Sequence, residues 1–311
     1  MKRKIRLAAA LLATSSVLSL CSFTASATNG PGELPTSTER VGAQAFDRYE
    51  LSVSKIYNKN IGAYAQIRIT YNGTRLSSDA RMINGVPYVA LRSFINEISN
   101  MTVTYKSAAK TLNIRGTGLD MDVIDGSNVI YANGRYLVSM TPSVIMTNGR
   151  MYAPLNNIAK ALGVSYSFST SSGAVLGGSI KPITHASSYY AEDAVYWLSR
   201  IISAESRGES LLGQIAVGSV VMNRVKSSLY PNTIWGVIFD RKYGVQFSPI
   251  IDGSIYSAPT ASSVAAAKIC LEGFNVNQSA LFFLYPRNST SSWIPNNRSY
   301  LFSIGKHDFY A

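Results

Sequence analysis

Residues 190–206 read YAEDAVYWLSRIISAES, and they carry the clearest structural pattern in the chain. Their apolar side chains recur at the spacing of one helical face: Val195, Leu198, Ile201 and Ile202. Glu205 follows three residues after Ile202 and falls on the same face. Because burial disfavours a charged carboxylate, we expect this position to raise the pKa of Glu205.

Helical spacing alone leaves two interpretations of this carboxylate open. A glutamic acid that is still protonated near neutral pH is suited to protonate a glycosidic oxygen as a general acid. Alternatively, Glu205 is a structural group paired with Arg200, Arg207 or Arg224. Glu209 follows Gly208, which is expected to end the helix, so Glu209 is interpreted as a surface acid at the start of the next helix.

The sequence around this helix predicts a small, mainly α domain over residues 187–311. Further helices are expected at about 211–226, 233–239 and 260–271, and short strands at 280–285 and 307–310.

Residues 51–180 show a different pattern, with short strands and intervening helices. Residues 65–71 alternate with period two and end at an Asn-Gly turn. Residues 84–91 (NGVPYVAL) match residues 148–155 (NGRMYAPL) at a spacing of 64, and each copy leads into a helix-like run and then a strand. The fold class predicted for the whole chain is therefore α+β, with a β-rich duplicated N-terminal module before the mainly α domain.

The first 50 residues predict export. Residues 1–27 have a basic start, an apolar stretch and a final Ala-Ser-Ala, the pattern of a cleaved signal peptide. The apolar stretch is shorter than the roughly 20 residues that a spanning helix needs, so no stable membrane insertion is expected after cleavage. Residues 28–50 are rich in Gly, Pro, Ser and Thr and are interpreted as a linker.

Composition removes several classes of function. Net charge is +12 with only 15% charged residues, which argues against a nucleic-acid binder, and the predicted signal carries four of the positive charges. Two histidines and two cysteines cannot build a multi-histidine metal centre or a disulfide scaffold. We expect neither metal nor cofactor. Cys270 lies in an alanine-rich helical segment, which disfavours a thiol nucleophile acting with His307.

Short ordered blocks in the C-terminal region match a known pattern. They include AESRGE at 204–209, GQIAV at 213–217, VMNRV at 221–225 and IGKHDFY at 304–310. Over roughly residues 190–310 the chain resembles the bacterial cell-wall hydrolase family that includes the spore cortex-lytic enzymes.

This resemblance implies a lysozyme-like catalytic domain that cleaves the glycan strand of peptidoglycan, with Glu205 as the catalytic glutamate. It implies lytic transglycosylase chemistry with 1,6-anhydro products, for which one acid suffices. A hydrolytic reaction would use water and usually a second carboxylate, for which Asp252 and Glu209 are the candidates. The location implied is secreted or wall-associated, with vegetative wall or spore cortex as the target. The alternative is a non-catalytic wall-binding protein.

Several loop and strand-end side chains are candidates for contact with sugars. Aromatic rings suit stacking on sugar rings, and polar loop groups suit N-acetyl and hydroxyl groups. The substrate-binding candidates are Gln246, Phe247, Ser248, Tyr285, Trp293 and His307, with Tyr243 as a further aromatic residue. Trp197 and Trp235 lie inside predicted helices and are expected in the core.

The two Asn-Gly segments of the repeat carry a second resemblance. Over roughly residues 62–170 the chain resembles the copper amine oxidase N-terminal-like domain, which implies a non-catalytic binding or stalk module. This region contains no histidine, so it lacks the imidazole ligands that copper redox sites prefer. Wall binding and simple spacing are both open for this module.

Overall fold

The computed structural model describes residues 60–116, 118–138, 144–287, 289 and 292–311. The predicted signal segment and linker, residues 1–50, lie outside these described residues. The described chain forms a β-rich module followed by a mainly helical domain, which confirms the α+β organisation expected from the sequence. No helix in these ranges is long and apolar enough to cross a membrane.

The β-rich module begins with a short 3-10 turn, Ile61–Ala63. Its strands are β1 (Ile69–Tyr71), β2 (Thr74–Arg75), β3 (Ala80–Ile83), β4 (Val86–Ala90), β5 (Thr102–Lys106), β6 (Thr111–Gly116), β7 (Leu119–Ile124), β8 (Val129–Ala132), β9 (Arg135–Val138), β10 (Ile145–Thr147), β11 (Arg150–Pro154), β12 (Ser165–Ser169) and β13 (Gly173–Gly177). Its helices are α1 (Leu91–Ile98) and α2 (Leu155–Leu162).

Both copies of the repeat form a hairpin with an Asn-Gly turn. The φ angles are 49° and 80° at Asn84 and Gly85, and 48° and 70° at Asn148 and Gly149. A type I′ turn needs positive φ at both central residues, which Asn and Gly tolerate best. These turns therefore fix the register of β3 on β4 and of β10 on β11.

The two copies of the repeat meet along β4 and β11, which pair antiparallel. Tyr88 pairs with Pro154, and Ala90 pairs with Tyr152. Because Tyr88 and Tyr152 occupy equivalent positions of the repeat, the copies are related by a local two-fold axis. Both tyrosines are fully buried, so each copy completes the core of the other.

The rest of the module encloses this central sheet. Strands β5 to β9 form a five-stranded antiparallel sheet, which lies between the two copies in sequence. Strand β1 pairs with β13 in parallel, so the first and last strands of the module meet. The strand predicted at residues 65–71 is shorter in the structure and spans Ile69–Tyr71, because Gln66 forms only an isolated bridge to Arg81.

The helical domain is built from short and long helices and one small sheet. The helices are α3 (Ala186–Tyr189), α4 (Glu192–Ser206), α5 (Leu211–Lys226), α6 (Ile234–Ile238), α7 (Pro249–Asp252), α8 (Ala261–Leu271) and α9 (Trp293–Asn297), with a 3-10 turn at Ser254–Tyr256. Strands β14 (Phe282–Leu284), β15 (Tyr300–Ile304) and β16 (His307–Tyr310) form a sheet in the order β14-β16-β15.

Helices α4, α5 and α8 pack against one another and form the core of this domain. Helix α5 is apolar around most of its circumference, as expected for a helix covered on all sides. A Cβ at Gly218 would lie 2.7 Å from the Ile202 side chain and 2.8 Å from Sγ of Cys270. The glycine therefore lets the three helices approach closely, and Cys270 is a buried packing residue whose pKa is raised to about 12 by burial.

The β-rich module and the helical domain share a buried junction. Arg135 on β9 donates from Nε and from its terminal nitrogen to the two carboxylate oxygens of Glu272, at 2.7 and 2.8 Å. The hydroxyl of Tyr190 donates to the same carboxylate at 2.7 Å, and Lys160 lies 3.2 Å from it. The Arg135 and Glu272 side chains are only 5% and 3% exposed. Val129 and Tyr136 of the module also pack into the helical core, so the two parts share apolar surface as well.

Candidate active site

Glu205 lies in the last turn of α4, where the helix leaves the domain core. Its carboxylate is half-buried, and among the described residues it has no hydrogen bond or ion pair. The ion pair with Arg200, Arg207 or Arg224 considered from the sequence is therefore not formed there. Arg200 instead lies over the ring of Tyr196 at 3.7 Å, and Arg207 donates from Nε to the carbonyl of Ser203 at 3.3 Å.

The environment of Glu205 favours the protonated acid. The pKa of Glu205 is raised to about 7, mainly by burial and in addition by the negative charge of Asp252. The positive charge of Arg224 acts in the opposite direction. The carboxyl therefore holds its proton close to neutral pH, which is the property that a general acid requires.

Arg224 lines the site and places a positive charge beside Glu205. It lies on α5, is almost fully buried, and donates from Nε to the carbonyl of Leu281 at 2.8 Å. Its guanidinium faces three aromatic rings at 5.0 to 5.5 Å: Tyr230, Phe247 and Phe282. An arginine stays protonated even when burial lowers its pKa, as it does here. From the sequence, Arg224 was considered only as an ion-pair partner of Glu205, although its position after Val220 and Val221 on α5 indicates a buried cation.

Glu205 opens into a cleft of about 780 Å³. The cleft lies between the end of α4, the loop before α7 and the sheet of β14 and β16. All seven site residues proposed from the sequence line it: Glu205, Gln246, Phe247, Ser248, Tyr285, Trp293 and His307. The fold thus brings together residues that are up to 102 positions apart in the chain.

The aromatic residues of the cleft differ in what they offer a ligand. Phe247 is only 3% exposed, so its face is not available for stacking on a sugar ring. It packs against Phe283 at 6.3 Å and under the Arg224 guanidinium, and it belongs to the apolar core. Tyr243 and Trp293 are both exposed and line the cleft.

The polar residues Gln246 and Ser248 lie on the same loop. The side-chain nitrogen of Gln246 donates to the carbonyl of Gly244 at 3.0 Å, and its oxygen lies 3.5 Å from Arg224. Ser248 is exposed immediately before α7, and its hydroxyl has no side-chain bond to cap that helix. This hydroxyl can therefore bind a ligand that enters the cleft.

The interpretation of Glu209 as a surface acid was wrong, because its side chain is only 8% exposed. One carboxylate oxygen accepts from the backbone N–H of Lys306 at 3.3 Å. A Cβ at Gly305 would lie 1.7 Å from that oxygen. The turn between β15 and β16 therefore accommodates Glu209 only because residue 305 is glycine, and Glu209 links the end of α4 to this turn.

His307 lines the cleft beside Glu209. Its ring is buried, and Nδ1 lies 3.9 Å from a carboxylate oxygen of Glu209, too far for a hydrogen bond. Within the described ranges Nδ1 has no hydrogen-bond partner. Burial lowers the pKa of His307, and Lys306 lowers it too, while Glu209 and Asp308 oppose the shift. The imidazole is therefore neutral near pH 7 and can both donate and accept a hydrogen bond.

Asp252 does not line the cleft. It is exposed at the end of α7, where its carboxylate accepts from the backbone N–H of Ser254 at 2.8 Å. The hydrogen bonds from Ser254 lower the pKa of Asp252, so it is ionised. In the described part of the chain, no three His, Cys, Asp or Glu side chains are close enough together to hold a metal ion.

Comparison with known families adds two matches. Residues 208–310 match the Cell Wall Hydrolase family, and residues 68–176 match the Copper amine oxidase N-terminal domain. Glu205 lies three residues before the first of these ranges.

Curated relatives match the C-terminal part of the chain. The spore cortex-lytic enzyme of Bacillus cereus is 36% identical over 126 residues, which cover 40% of this chain and 47% of the relative. That of Bacillus subtilis is 33% identical over 120 residues, which cover 39% and 38%. The chain thus spans less than half the length of these curated relatives.

Two solved structures also match. The catalytic domain of the germination-specific lytic transglycosylase SleB from Bacillus anthracis is 36% identical, over 39% of this chain and 97% of that one, with a TM-score of 0.36. The catalytic domain of the Bacillus cereus SleB protein gives the same identity and TM-score over 92% of its chain. The family matches identify a cell wall hydrolase domain in this chain, preceded by a copper amine oxidase N-terminal domain.

Proposed function

We propose that this chain is an exported enzyme that cleaves the glycan strand of peptidoglycan, at the bond between N-acetylmuramic acid and N-acetylglucosamine. The observation that carries the proposal is Glu205: a carboxyl with no partner among the described residues and a pKa of about 7, facing a cleft in a domain of the cell wall hydrolase family. A carboxyl in this state is both a proton donor and, once ionised, a proton acceptor at neutral pH.

The proposed reaction uses Glu205 twice. First, its carboxyl gives a proton to the glycosidic oxygen, and the bond from that oxygen to the anomeric carbon breaks with an oxocarbenium-like transition state. The carboxylate then accepts the proton of the muramoyl C6 hydroxyl while that oxygen bonds to the anomeric carbon. The products are a free 4-hydroxyl on one sugar and a 1,6-anhydro ring on the other. Glu205 returns to its acid form.

The surroundings of Glu205 favour this intramolecular course over hydrolysis. An inverting hydrolase needs a second carboxylate as base, and a retaining one needs it as nucleophile. Glu209 lines the cleft, but its carboxylate is turned towards the β15–β16 turn. Asp252 is exposed outside the cleft lining. Neither is therefore positioned to activate water or attack a sugar beside Glu205.

We further propose roles for the other cleft residues. Trp293 and Tyr285 offer ring faces to sugar rings. Gln246, Ser248 and the neutral imidazole of His307 offer hydrogen bonds to N-acetyl and hydroxyl groups. Arg224 stabilises the Glu205 carboxylate formed in the first step, because its charge lowers the pKa of that group.

The place of action follows from the same proposal. The relatives are named spore cortex-lytic enzymes, and the chain begins with a predicted signal peptide, so we place the enzyme at the cell wall, with spore cortex as the favoured target. The net charge of +8 expected after signal cleavage gives a mild attraction to anionic wall polymers.

The test combines a variant with product analysis. Digestion of purified peptidoglycan by the wild-type protein should release muropeptides with 1,6-anhydro ends, identified by mass spectrometry. Glu205→Gln should lower the release by a factor of about 10² to 10⁴ without loss of fold by circular dichroism. Full activity in that variant would contradict the role of Glu205, and reducing ends would indicate hydrolysis. If the wild-type protein binds peptidoglycan and releases nothing, it is a wall-binding protein instead.

A further inference from the structure

Four aromatic side chains outside the cleft form a continuous series of ring contacts. Trp235 packs on Phe239 with centroids 5.1 Å apart, Phe239 packs on Trp197 at 5.1 Å, and Trp197 packs on Tyr256 at 6.4 Å. We call these four residues the aromatic row. Trp197 and Phe239 are half-buried and anchor it, whereas Trp235 and Tyr256 at its ends are 55% and 61% exposed.

Trp235 is exposed at the surface, whereas the sequence predicted it in the core. It lies in the first turn of α6, a helix of only five residues, whose buried side is occupied by Val237 and Ile238. Thr233 caps the helix by accepting from the N–H of Gly236, so the orientation of Trp235 is set by a capped helix. A single exposed apolar side chain is common, but Trp235 adjoins the ring of Phe239, and contiguous exposed apolar surface is typical of a binding site.

Two segments of the chain that carry residues of the aromatic row also reach the cleft. Trp197 precedes Glu205 by eight residues on α4, which is about 12 Å along the helix axis. On the other side, Ser248 lines the cleft, α7 follows it directly, and the 3-10 turn after α7 ends at Tyr256. Asp252, on this connecting segment, is close enough for its charge to raise the pKa of Glu205. The segment therefore joins the cleft to the row.

We propose that the aromatic row binds sugar rings of a glycan strand that extends beyond the cleft, and this rests on the proposed function. Exposed indole and phenol rings offer flat apolar faces, and the carbon–hydrogen face of a pyranose ring is a matching surface. Asp252 lies between cleft and row, where its exposed carboxylate can accept hydrogen bonds from sugar hydroxyls. The row thus adds binding to a strand whose scissile bond lies at Glu205.

The charges near the row favour a glycan over a lipid surface. An anionic membrane attracts clusters of basic residues. In the segments next to Phe239 and Tyr256 the chain carries two acidic residues, Asp240 and Asp252, and two basic residues, Arg241 and Lys242. A polymer of hydroxyl-bearing sugar rings fits an aromatic surface with mixed charges better than an anionic bilayer does.

The test measures binding separately from cleavage. In the full chain carrying Glu205→Gln, affinity for peptide-free glycan strands of graded length is measured by calorimetry. Trp235→Ala and Tyr256→Ala should each weaken binding of long strands about three- to tenfold, the range expected for loss of one aromatic contact. Binding of the shortest strands that fill the cleft should stay unchanged. Trp235→Phe should restore most of the loss, because it keeps a ring at that position.

Leu229→Ala is the matched control, since Leu229 is an exposed apolar side chain that makes no ring contact in the row; it should leave both affinities unchanged. Equal affinity of Trp235→Ala and its parent for long strands would overturn the inference. The inference would also be overturned if Trp235→Ala weakened only binding to phosphatidylglycerol vesicles, or only self-association measured by size-exclusion chromatography. Cleavage by the chain with native Glu205 is scored on the same strands. If the strands are bound with this length dependence but are not cut, the proposed function is wrong, whereas the role of the aromatic row in glycan binding is supported.

Discussion

Glu205 and Glu272 are both carboxylates removed from water, but their surroundings drive their pKa values in opposite directions. Glu205 has no partner among the described residues, and burial raises its pKa to about 7. Burial acts on Glu272 in the same sense, but the hydrogen bonds from Arg135 and Tyr190 outweigh it and leave the pKa of Glu272 below its ordinary value. Partners rather than burial therefore decide whether a glutamate holds a proton.

This difference separates a site that reacts from a site that holds two parts together. A carboxyl that keeps its proton near neutrality can transfer it to a substrate. A carboxylate with three donors, two of them charged, has no free capacity for chemistry, and it ties β9 to the end of α8. We therefore propose Glu205 as an acid for reaction, whereas Glu272 serves the structure.

The largest expected effect comes from breaking the junction. Arg135→Ala leaves Glu272 buried without its main partner, which should lower the free energy of unfolding by about 3–5 kcal/mol. Urea denaturation followed by tryptophan fluorescence measures this. Lys160→Ala removes a half-exposed partner of the same carboxylate and should cost less than about 1 kcal/mol. Equal losses in the two variants would mean that the junction is not a buried ion pair.

The same substitution at the two glutamates should change stability in opposite directions at pH 8. The pKa of Glu272 is lower in the folded chain than in the unfolded chain, so the ionised carboxylate stabilises the fold at pH 8. Glu272→Gln removes this stabilisation. Glu205→Gln removes a group whose raised pKa makes its ionised form unfavourable above about pH 7, so it should stabilise the fold by about 1–2 kcal/mol, allowing for partial exposure.

The measurement is a series of denaturation curves from pH 4 to pH 9. The gain from Glu205→Gln should be full above pH 7, shrink as the pH falls from about 7 towards 4.5, and vanish below that, because only there is Glu205 protonated in both the folded and the unfolded chain. The loss from Glu272→Gln should persist until the pH falls through the lowered pKa of Glu272. A gain from Glu205→Gln that is independent of pH would contradict its raised pKa.

A smaller effect is expected at the turn that accommodates Glu209. Gly305→Ala places a Cβ 1.7 Å from the Glu209 carboxylate at a φ of +58°, so Glu209 must move. We expect muropeptide release to fall about three- to tenfold, because the cleft wall at His307 shifts with the turn. Gly273→Ala has comparable backbone strain at a φ of +93° but contacts nothing within 4 Å. The activity of Gly273→Ala should match that of the wild type. If muropeptide release fell equally in both variants, backbone strain rather than displacement of Glu209 would explain the effect.

The smallest effect is a displacement of the pH profile. Since Glu205 must be protonated, kcat should fall about tenfold per unit above pH 7. Asp252 raises the pKa of Glu205, so Asp252→Asn should move this falling limb to lower pH by roughly a few tenths of a unit. Asp193→Asn, in the first turn of α4, is the control and should leave the profile in place. A shift to higher pH with Asp252→Asn would contradict the sign.

Local patterns predicted much of the fold. The helical period placed Glu205 on the inner face of α4, and the Asn-Gly repeats indicated the hairpins of β3–β4 and β10–β11. The strands β6 to β9 were not predicted from the sequence, because they lie between the repeat copies and lack a repeat of their own.

Long-range packing accounts for what the sequence did not reveal. Glu209 was interpreted as exposed because its burial depends on Gly305, 96 positions later. Phe247 looked like a loop residue available to sugars, yet Arg224 from α5 covers it. The pairing of Arg135 with Glu272 spans 137 positions and follows from no local pattern.

The buried junction at Glu272 also limits how the β-rich module and the helical domain can move relative to each other. Two domains on a flexible tether search a volume whose size depends on tether length. Here the edge strand β9 is fixed to α8 by a buried ion pair and shared apolar packing, so any surface held by the β-rich module lies at a set distance and angle from Glu205. Under the proposed function, a β-rich module bound to an ordered polymer would therefore set, by its own dimensions, which glycosidic bond reaches Glu205.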